Sequence, residues 1–435
     1  MKELQILDVI GGVADDLVLE AKEAPMMKTK NTRPLRIALI AAAITVLMTV
    51  TVLGVYAARN WDQVLLNVFH IGDVEQSMMD QSLADVYATA ERNGCTYTIK
   101  QVMGDEHCMV VSLDVKLPDN ITIPTVSTAE LKSVAEQNGY DWTGVVNRLH
   151  YMYGYEETDE SLTGGVFFES EPMVYPVEMD EETLVAEADE FIADHFSGEA
   201  DVPMDMDRIA RARVMWGKAA AEFDGNLETG EGTQFGGGLF HKQYIPETNT
   251  LEVLVEMHTE NDVQGRTCTL VLDDLAVEDV LGYYAQPYDP ERYENNVVDR
   301  LLTEPLVMNF VADYTPIKQS YDILQDGAKI GTMDLSPFSA YLSFPLEPDD
   351  TVYSSLEAAA NAENRKSYLD HSLHAFDVTL TDGSIVTMQM QSAGMAYEET
   401  AFFMADRVID LDQIESITLG EYSFALNSIS EANRE

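Results

Sequence analysis

The sequence predicts an α+β chain: a single transmembrane helix followed by extracytoplasmic β-rich domains, with a helical insertion and a C-terminal β-sandwich. Three observations predict it. The 22 residues from Ile37 to Ala58 carry no charge, and as a helix they would span about 33 Å, enough for a bilayer core of roughly 30 Å. Segments after Cys95 and again after Leu239 alternate apolar and polar residues with the period of two that a half-buried strand needs. Between Pro118 and Gly238 the pattern changes to that of amphipathic helices. The chain therefore divides into a cytoplasmic helical segment (1–24), a basic juxtamembrane linker (25–36), the span (37–58), an α+β exterior (60–238) and a sandwich-like domain (239–435).

The N-terminal segment KELQILDVIGGVADDLVLEAKEA is short but patterned. Leu4, Leu7 and Ile10 fall at helical spacing, Gly11 and Gly12 interrupt, and Asp15 can cap a second set of turns carrying Leu17, Val18 and Ala21. Two such short helices cannot bury these faces on each other for much stability. The stripe Leu7, Ile10, Val13 and Leu17 thus invites a cytoplasmic partner, or else rests on the membrane surface. Lys28, Lys30, Arg33 and Arg36 crowd the near side of the apolar run, and Arg59 stands alone beyond it. Positive charge stays inside, which puts the N-terminus in the cytoplasm and residues 60–435 outside. Val55-Tyr56-Ala57 is a passable signal-cleavage pattern, but 36 residues precede an apolar run longer than the usual h-region, which favours an uncleaved anchor.

The residues Leu7, Ile10, Gly11, Val13, Asp16, Leu17, Glu20 and Ala21, with the basic linker and span behind them, resemble the start of a family of clostridial-type single-pass membrane proteins. These have an anti-sigma-factor-like N-terminal segment and an extracytoplasmic domain of unknown function. The resemblance implies a membrane-anchored regulatory or sensory role, with a cytoplasmic partner such as a sigma factor. Well-described anti-sigma factors often carry a His/Cys zinc motif in this region, whereas residues 1–36 contain neither His nor Cys. The alternative is a surface-anchored binding or adhesion module whose inner segment only sets topology.

Composition narrows the outside. The formal net charge is -50, and a surface so acidic repels phosphate backbones, which excludes nucleic-acid binding by the large exterior. Solubility is the ordinary reason for such an excess, and binding of divalent cations is the other. Hydrophobic residues make up 46% of the chain, with fifteen Phe and twenty Tyr, enough for packed cores and unlike a disordered composition. Three cysteines, Cys95, Cys108 and Cys268, are too few and odd in number for a disulfide framework.

Along the exterior, CTYTIKQVMGDEHCMVVSLDVKLP reads as a hairpin turning at Gly104-Asp105, with Ile99 opposite Val111 and Tyr97 opposite Leu113. That places Cys95 inward near Val115 and Cys108 on the opposite face. This hairpin also resembles the opening of the family's extracytoplasmic domain. Ser127-Thr128-Ala129-Glu130 is a capping box before a short helix that Gly139 can end. MDEETLVAEADEFIADHFSG is an acid-rich helix with Leu184, Ala188, Phe191, Ile192 and His195 on one face, and Asp205 to Phe223 gives another. The glycine-rich stretch from Gly225 to Gly238 reads as a flexible boundary.

From Leu239 the chain turns strand-rich, with turns at Asn249 and around Gly265. DILQDGAKIGTMDLSPFSAYLSFP adds two strands. In HAFDVTLTDGSIVTMQM, a loop Asp382-Gly383-Ser384 pairs Phe376, Val378 and Leu380 with Met390, Met388 and Val386. RVIDLDQIESITLGEYSFAL gives a helical turn and a closing strand pair. The order of these pieces also resembles the family's C-terminal region, with residues 120–235 as an insertion or divergence.

No GxSxG, HExxH, P-loop or GxGxxG with a following helix is present, so the sequence predicts no enzyme and no cofactor. His371 and His374 lie three apart, but no third ligand is indicated for a metal. Asp224-Gly225-Asn226-Leu227-Glu228 begins like a calcium loop and fails where Thr229 replaces glycine and Phe235 replaces glutamate.

Overall fold

The computed structural model describes residues 61–426, apart from 122, 154, 156–159, 164, 197–205, 223–234, 289–298, 346–373, 396–397 and 421. The apolar run Ile37–Ala58 lies outside the described residues, as do Leu7, Ile10, Val13 and Leu17. Among the described residues no helix is long and apolar enough to cross a membrane.

Two short helices, α1 (Gln63–Val68) and α2 (Asp73–Met79), lead into a long antiparallel run, β1 (Leu83–Arg92), β2 (Cys95–Gly104) and β3 (Cys108–Lys116). The chain continues through β4 (Thr125–Ser127), α3 (Thr128–Gln137), α4 (Trp142–Tyr153), β5 (Ser161–Thr163), β6 (Val166–Phe168) and β7 (Met173–Tyr175). Helices α5 (Glu181–Phe196) and α6 (Met206–Glu222) pack on each other. Then come β8 (Phe235–Ile245), β9 (Thr250–Thr259), β10 (Thr267–Leu272), β11 (Leu275–Val277), α7 (Val280–Tyr284), β12 (Asp299–Arg300) and β13 (Leu306–Val311). The protein is mostly β with helices set among the strands, as the alternation after Cys95 predicts.

The sheet order β1-β2-β3-β9-β8 joins strands that are far apart in sequence. Its inner face, with Tyr97, Ile99, Val111, Leu113, Val115, Val253 and Val255, shares one core with Leu270, Leu272, Met308 and Phe310 of the sheet β13-β10-β7. Two sheets facing across one apolar core make a sandwich, and it lies in residues 83–311. The boundary expected at 238/239 falls inside β8, because β8 and β9 complete the sheet that β1 to β3 begin.

Of the glycines expected to form a flexible boundary, Gly236, Gly237 and Gly238 are part of that strand, and Gly225, Gly230 and Gly232 lie outside the described residues. A side chain at Gly236 would strike the His258 ring at 2.5 Å, one at Gly237 the Glu256 carbonyl at 2.1 Å, and one at Gly238 the Glu171 carboxylate at 2.8 Å. Close approach, not looseness, selects glycine here.

The β2–β3 turn sits two residues later than the sequence suggested. Asp105 N–H donates to the Cys108 carbonyl at 2.8 Å, and Asp105 Oδ1 accepts from the backbone of His107 and Cys108 at 2.8 and 2.7 Å. A bulge between Ile99 and Gln101 takes up one residue, so Ile99 opposes Leu113 and Tyr97 opposes Val115. The faces survive the shift because it is even. Cys95 joins the sandwich core and Cys108 a separate core on the other face, and all three cysteines are free thiols.

The remaining strands are β14 (Gln319–Gln325), β15 (Ala328–Leu335), β16 (Ser339–Pro345), β17 (Ala375–Leu380), β18 (Ile385–Met395), β19 (Glu398–Ala405), β20 (Ile414–Thr418) and β21 (Ser423–Leu426). They form one antiparallel sheet in the order β20-β17-β18-β19-β16-β15-β14-β21. It curls until its edge strands β20 and β21 approach, and every strand from β14 to β19 contributes to a single core. The expected C-terminal sandwich is thus one continuous curled sheet, and the closing strand pair separates to its opposite edges. Residues 319–345 give three strands, not two, because Asp326 and Gly327 adopt positive φ (52° and 79°) and make an extra tight hairpin. In the β17–β18 hairpin the three-residue loop is Thr381-Asp382-Gly383, one position earlier than read, with Gly383 at φ 83°. Phe376 therefore opposes Met388 and Val378 opposes Val386.

The helical elements follow their sequence signals closely. Ser127 Oγ accepts from Glu130 N–H at 3.2 Å and starts α3, and Gly139 lies beyond its end at φ 89°. In α5, Leu184 and Ala188 are buried as expected, whereas His195 is exposed with Phe191 stacked on it at 4.2 Å.

Candidate functional site

Helix α6 lies against the outer face of β7 and β10. Its buried residues Met206, Ala210, Met215 and Ala219 face inward, Met215 and Ala219 sharing a core with Tyr175, Val271 and Val307. The same helix carries Arg208, Arg211, Arg213 and Lys218, a cluster of cations in a chain of net charge -50. Three of those four border a cavity of about 590 Å³ enclosed by α6, β7, the segment Glu169–Glu171 and Asp273. That volume is within the range of small-molecule sites.

Each guanidinium has a different status. Arg211 Nη2 donates to Asp273 Oδ1 at 2.8 Å, with both side chains largely buried. Its Nε is buried and has no hydrogen-bond partner among the described residues. Arg208 Nη1 donates to Ser170 Oγ at 3.0 Å. Arg213 is exposed and makes no ion pair or hydrogen bond among the described residues. Burial raises the Asp273 carboxyl against the pull of Arg211, and burial beside Asp273 pushes the Tyr175 phenol up to about 12. Glu169 on the rim is held by Arg300 at 3.0 Å.

Trp216 stands one turn on from Arg213 and is 47% exposed, while Trp61 and Trp142 are buried. Helical spacing explains the pairing: Ile209, Arg213 and Trp216 follow at i, i+4 and i+7 along one side. The cavity thus offers apolar walls (Met173, Ile209, Met215, Val271), an aromatic face and an uncommitted guanidinium.

A second polar cluster lies where the β2–β3 turn meets the curled sheet. Lys318 Nζ bridges Glu106 and Asp334, the latter at 2.8 Å, while His107 Nε2 lies 3.2 Å from Asp334 and Ser320 Oγ donates to it at 2.5 Å. Burial alone would raise the Asp334 carboxyl, but hydrogen bonds from His107, Lys318 and Ser320 outweigh it and hold the pKa well below the usual carboxylate range. Glu106, His107 and Asp334 could together ligate a cation. The Lys318 ammonium already fills that role, so the cluster works as a clamp between sheets. Asp105 Oδ2 reinforces it by accepting from Ser339 Oγ at 2.5 Å.

A third group is buried beside the glycine strand. His258 Nε2 and Ser392 Oγ are 2.7 Å apart, and His258 Nδ1 lies 3.9 Å from Glu256 Oε1. Burial pulls the imidazole down to about 4, and burial, with Glu171 nearby, pushes the Glu256 carboxyl up to about 7.

None of these groups was singled out by the sequence. The partner-binding stripe Leu7, Ile10, Val13 and Leu17 lies outside the described residues, as does His371, and His374 is exposed on the approach to β17. The one signal available for the cavity was RIARAR, six residues with a cation at every second or third position on a helix of an acidic chain. On a helix, charges usually mark a solvated face, which hides a ligand site.

The fold is α+β, dominated by strands, and a ligand-sized cavity lies under α6. No protein-family model matches the chain, and no curated protein matches it. A solved structure described as the crystal structure of the conserved domain protein from Bacillus anthracis is similar over 82% of this chain and 97% of its own, at 10% identity and a TM-score of 0.31.

Proposed function

We propose that the chain is a membrane-anchored regulatory or sensory protein, anti-sigma-factor-like, whose exterior binds a ligand and whose residues 1–24 engage a cytoplasmic partner. The cavity under α6 carries this reading: a ligand-sized, partly apolar hollow holding a cation uncommitted among the described residues is what a sensing domain needs. The basic flank and the uncharged run to Ala58 support an N-in, single-pass arrangement at the cell membrane. No catalytic step is part of the reading.

The test uses the full chain in its membrane. Replacing Leu7, Ile10 and Leu17 with Ser abolishes capture of the cytoplasmic partner, while residues 60–435 remain open to external protease. For a sigma-factor partner, transcription of its target genes rises in that variant. Unchanged capture and unchanged transcription would discard the regulator and leave the surface-anchored binding module in its place.

A further inference from the structure

Resting on the sensory reading, we propose that the cavity under α6 binds a monoanionic carboxylate carried on an apolar ring, the carboxylate held by Arg213 and the ring laid against Trp216.

The charge inventory selects a carboxylate. Of the three guanidiniums that border the hollow, Arg211 is committed to Asp273 and Arg208 donates to Ser170, whereas the planar fork of Arg213 has no partner among the described residues. One free fork matches one carboxylate, to which it can donate two parallel hydrogen bonds. A phosphate or other polyanion would bring further charge against Glu169, Glu171 and Asp273 on the same walls, within a chain whose net charge is already -50. Arg213 also borders the hollow between α5 and α6, near Glu187, Glu190 and Asp194, yet forms no ion pair with them. Those carboxylates raise the cost of a second negative charge further.

The lining selects the ring. Met173, Ile209, Met215 and Val271 give the hollow an apolar floor, and Trp216 presents an indole at 47% exposure beside Arg213. An exposed indole next to an uncommitted guanidinium binds a ring and an anion of one molecule together.

The full-length protein in detergent micelles is titrated with cyclohexanecarboxylate, benzoate, glucuronate and inorganic phosphate. Calorimetry gives affinity, and indole emission reports on Trp216, the exposed tryptophan among three. Saturable binding of the two apolar-ring carboxylates is expected, with a change in emission that Trp216→Phe removes. Phosphate binds at least about tenfold more weakly, and Arg213→Gln weakens the carboxylates by about tenfold or more. Arg213→Lys, which keeps the charge and loses the fork, lies between, and Lys218→Gln binds as the wild type does. Glucuronate as tight as cyclohexanecarboxylate would overturn the apolar ring, and phosphate as tight as benzoate would overturn the carboxylate. Absence of saturable binding, or an unaltered affinity in Arg213→Gln, would overturn the site. These outcomes are separate from the regulator test. Carboxylate binding with no loss of partner capture in the Leu7/Ile10/Leu17 variant sinks the regulator and keeps the site. The reverse result keeps the regulator and sinks the ligand.

Discussion

The sandwich of residues 83–311 and the curled sheet of residues 319–426 use strands of similar length for different purposes. The curled sheet keeps its interior apolar, with Ile323, Met333, Leu342, Phe344, Val386, Met388 and Phe403 at its centre. Its Lys329–Asp322 ion pair stays near the surface. The sandwich instead buries ionisable groups: Glu256 and His258 on one sheet, Arg211 with Asp273 beside the other, and Arg148 with Glu278 at 2.8 Å among the tyrosines of α4 and α7. A buried charge costs stability unless it is paired. The comparison teaches that chemistry has been loaded onto one layer while the other remains a scaffold. The loaded layer is also the one with the helical insertion and the cavity.

The largest effect should come from Gly104, where the two regions meet. A Cβ there would lie 2.1 Å from the Tyr314 ring, which is 2% exposed and cannot retreat. Gly104→Ala should cost about 3 kcal/mol or more in chemical denaturation, at or above the upper end of the usual overpacking range. Gly383→Ala in the curled sheet is the counterpart, since its Cβ would meet nothing within 4 Å and only its φ of 83° is strained. That variant should lose only about 1 kcal/mol. Equal losses would show that the junction is looser than its geometry.

Glu256 gives the next effect, and its sign is opposite to that of most carboxylates. Its folded pKa is raised to about 7, above an unfolded value near 4.3. The protonated form therefore stabilises the fold fully below the unfolded pKa, and that contribution is lost as pH rises through about 7. His258 runs the other way, with its folded pKa lowered to about 4, so its contribution is lost as pH falls through the same window. The two nearly cancel in the wild type. Glu256→Gln removes one of them and should be more stable than wild type at pH 8 by up to about 3 kcal/mol, with the gap closing toward pH 4. Parallel pH curves for the two proteins would refute a buried, protonatable Glu256.

Asp334 supplies the contrast. Its folded pKa is depressed, so the contribution is present above the unfolded value and is lost as pH falls through the folded one. Asp334→Asn should cost about 2 kcal/mol at pH 7 and progressively less below about pH 4, as expected for a partly exposed clamp. The Glu256 and Asp334 variants thus diverge in opposite directions on one pH axis.

The same contrast governs what could be read from the sequence. In the curled sheet neighbours in space are neighbours in sequence, so alternation and turn residues nearly sufficed. The β17–β18 register slipped only because its loop begins at Thr381 and not at Asp382, a difference that leaves the faces unchanged. In the sandwich, Lys116 of β3 pairs with Thr250 of β9 across the entire insertion, and no local pattern announces such a partner. Gly236 to Gly238 were misread for a related reason: glycine selected by a close neighbour looks, in sequence, like glycine selected for freedom. Helix α6 was legible within a residue at each end from its period, while the meaning of its arginines depended on Asp273 and Ser170, which lie on other elements.

The smallest effect is the one that separates a binding residue from a structural one. Arg213 is exposed and forms no ion pair or hydrogen bond among the described residues, whereas Arg211, two positions earlier, is buried against Asp273. Removing Arg213 leaves no buried partner unsatisfied, so Arg213→Gln should change unfolding free energy by less than about 0.5 kcal/mol. Arg211→Gln strands the buried Asp273 carboxyl and should cost about 2–3 kcal/mol. Two arginines on one helix then differ severalfold in stability, and the one that stability ignores is the one ligand affinity depends on. A large loss in Arg213→Gln would mean that its guanidinium holds the helix in place, and the division between a loaded sandwich and its free cation would no longer stand.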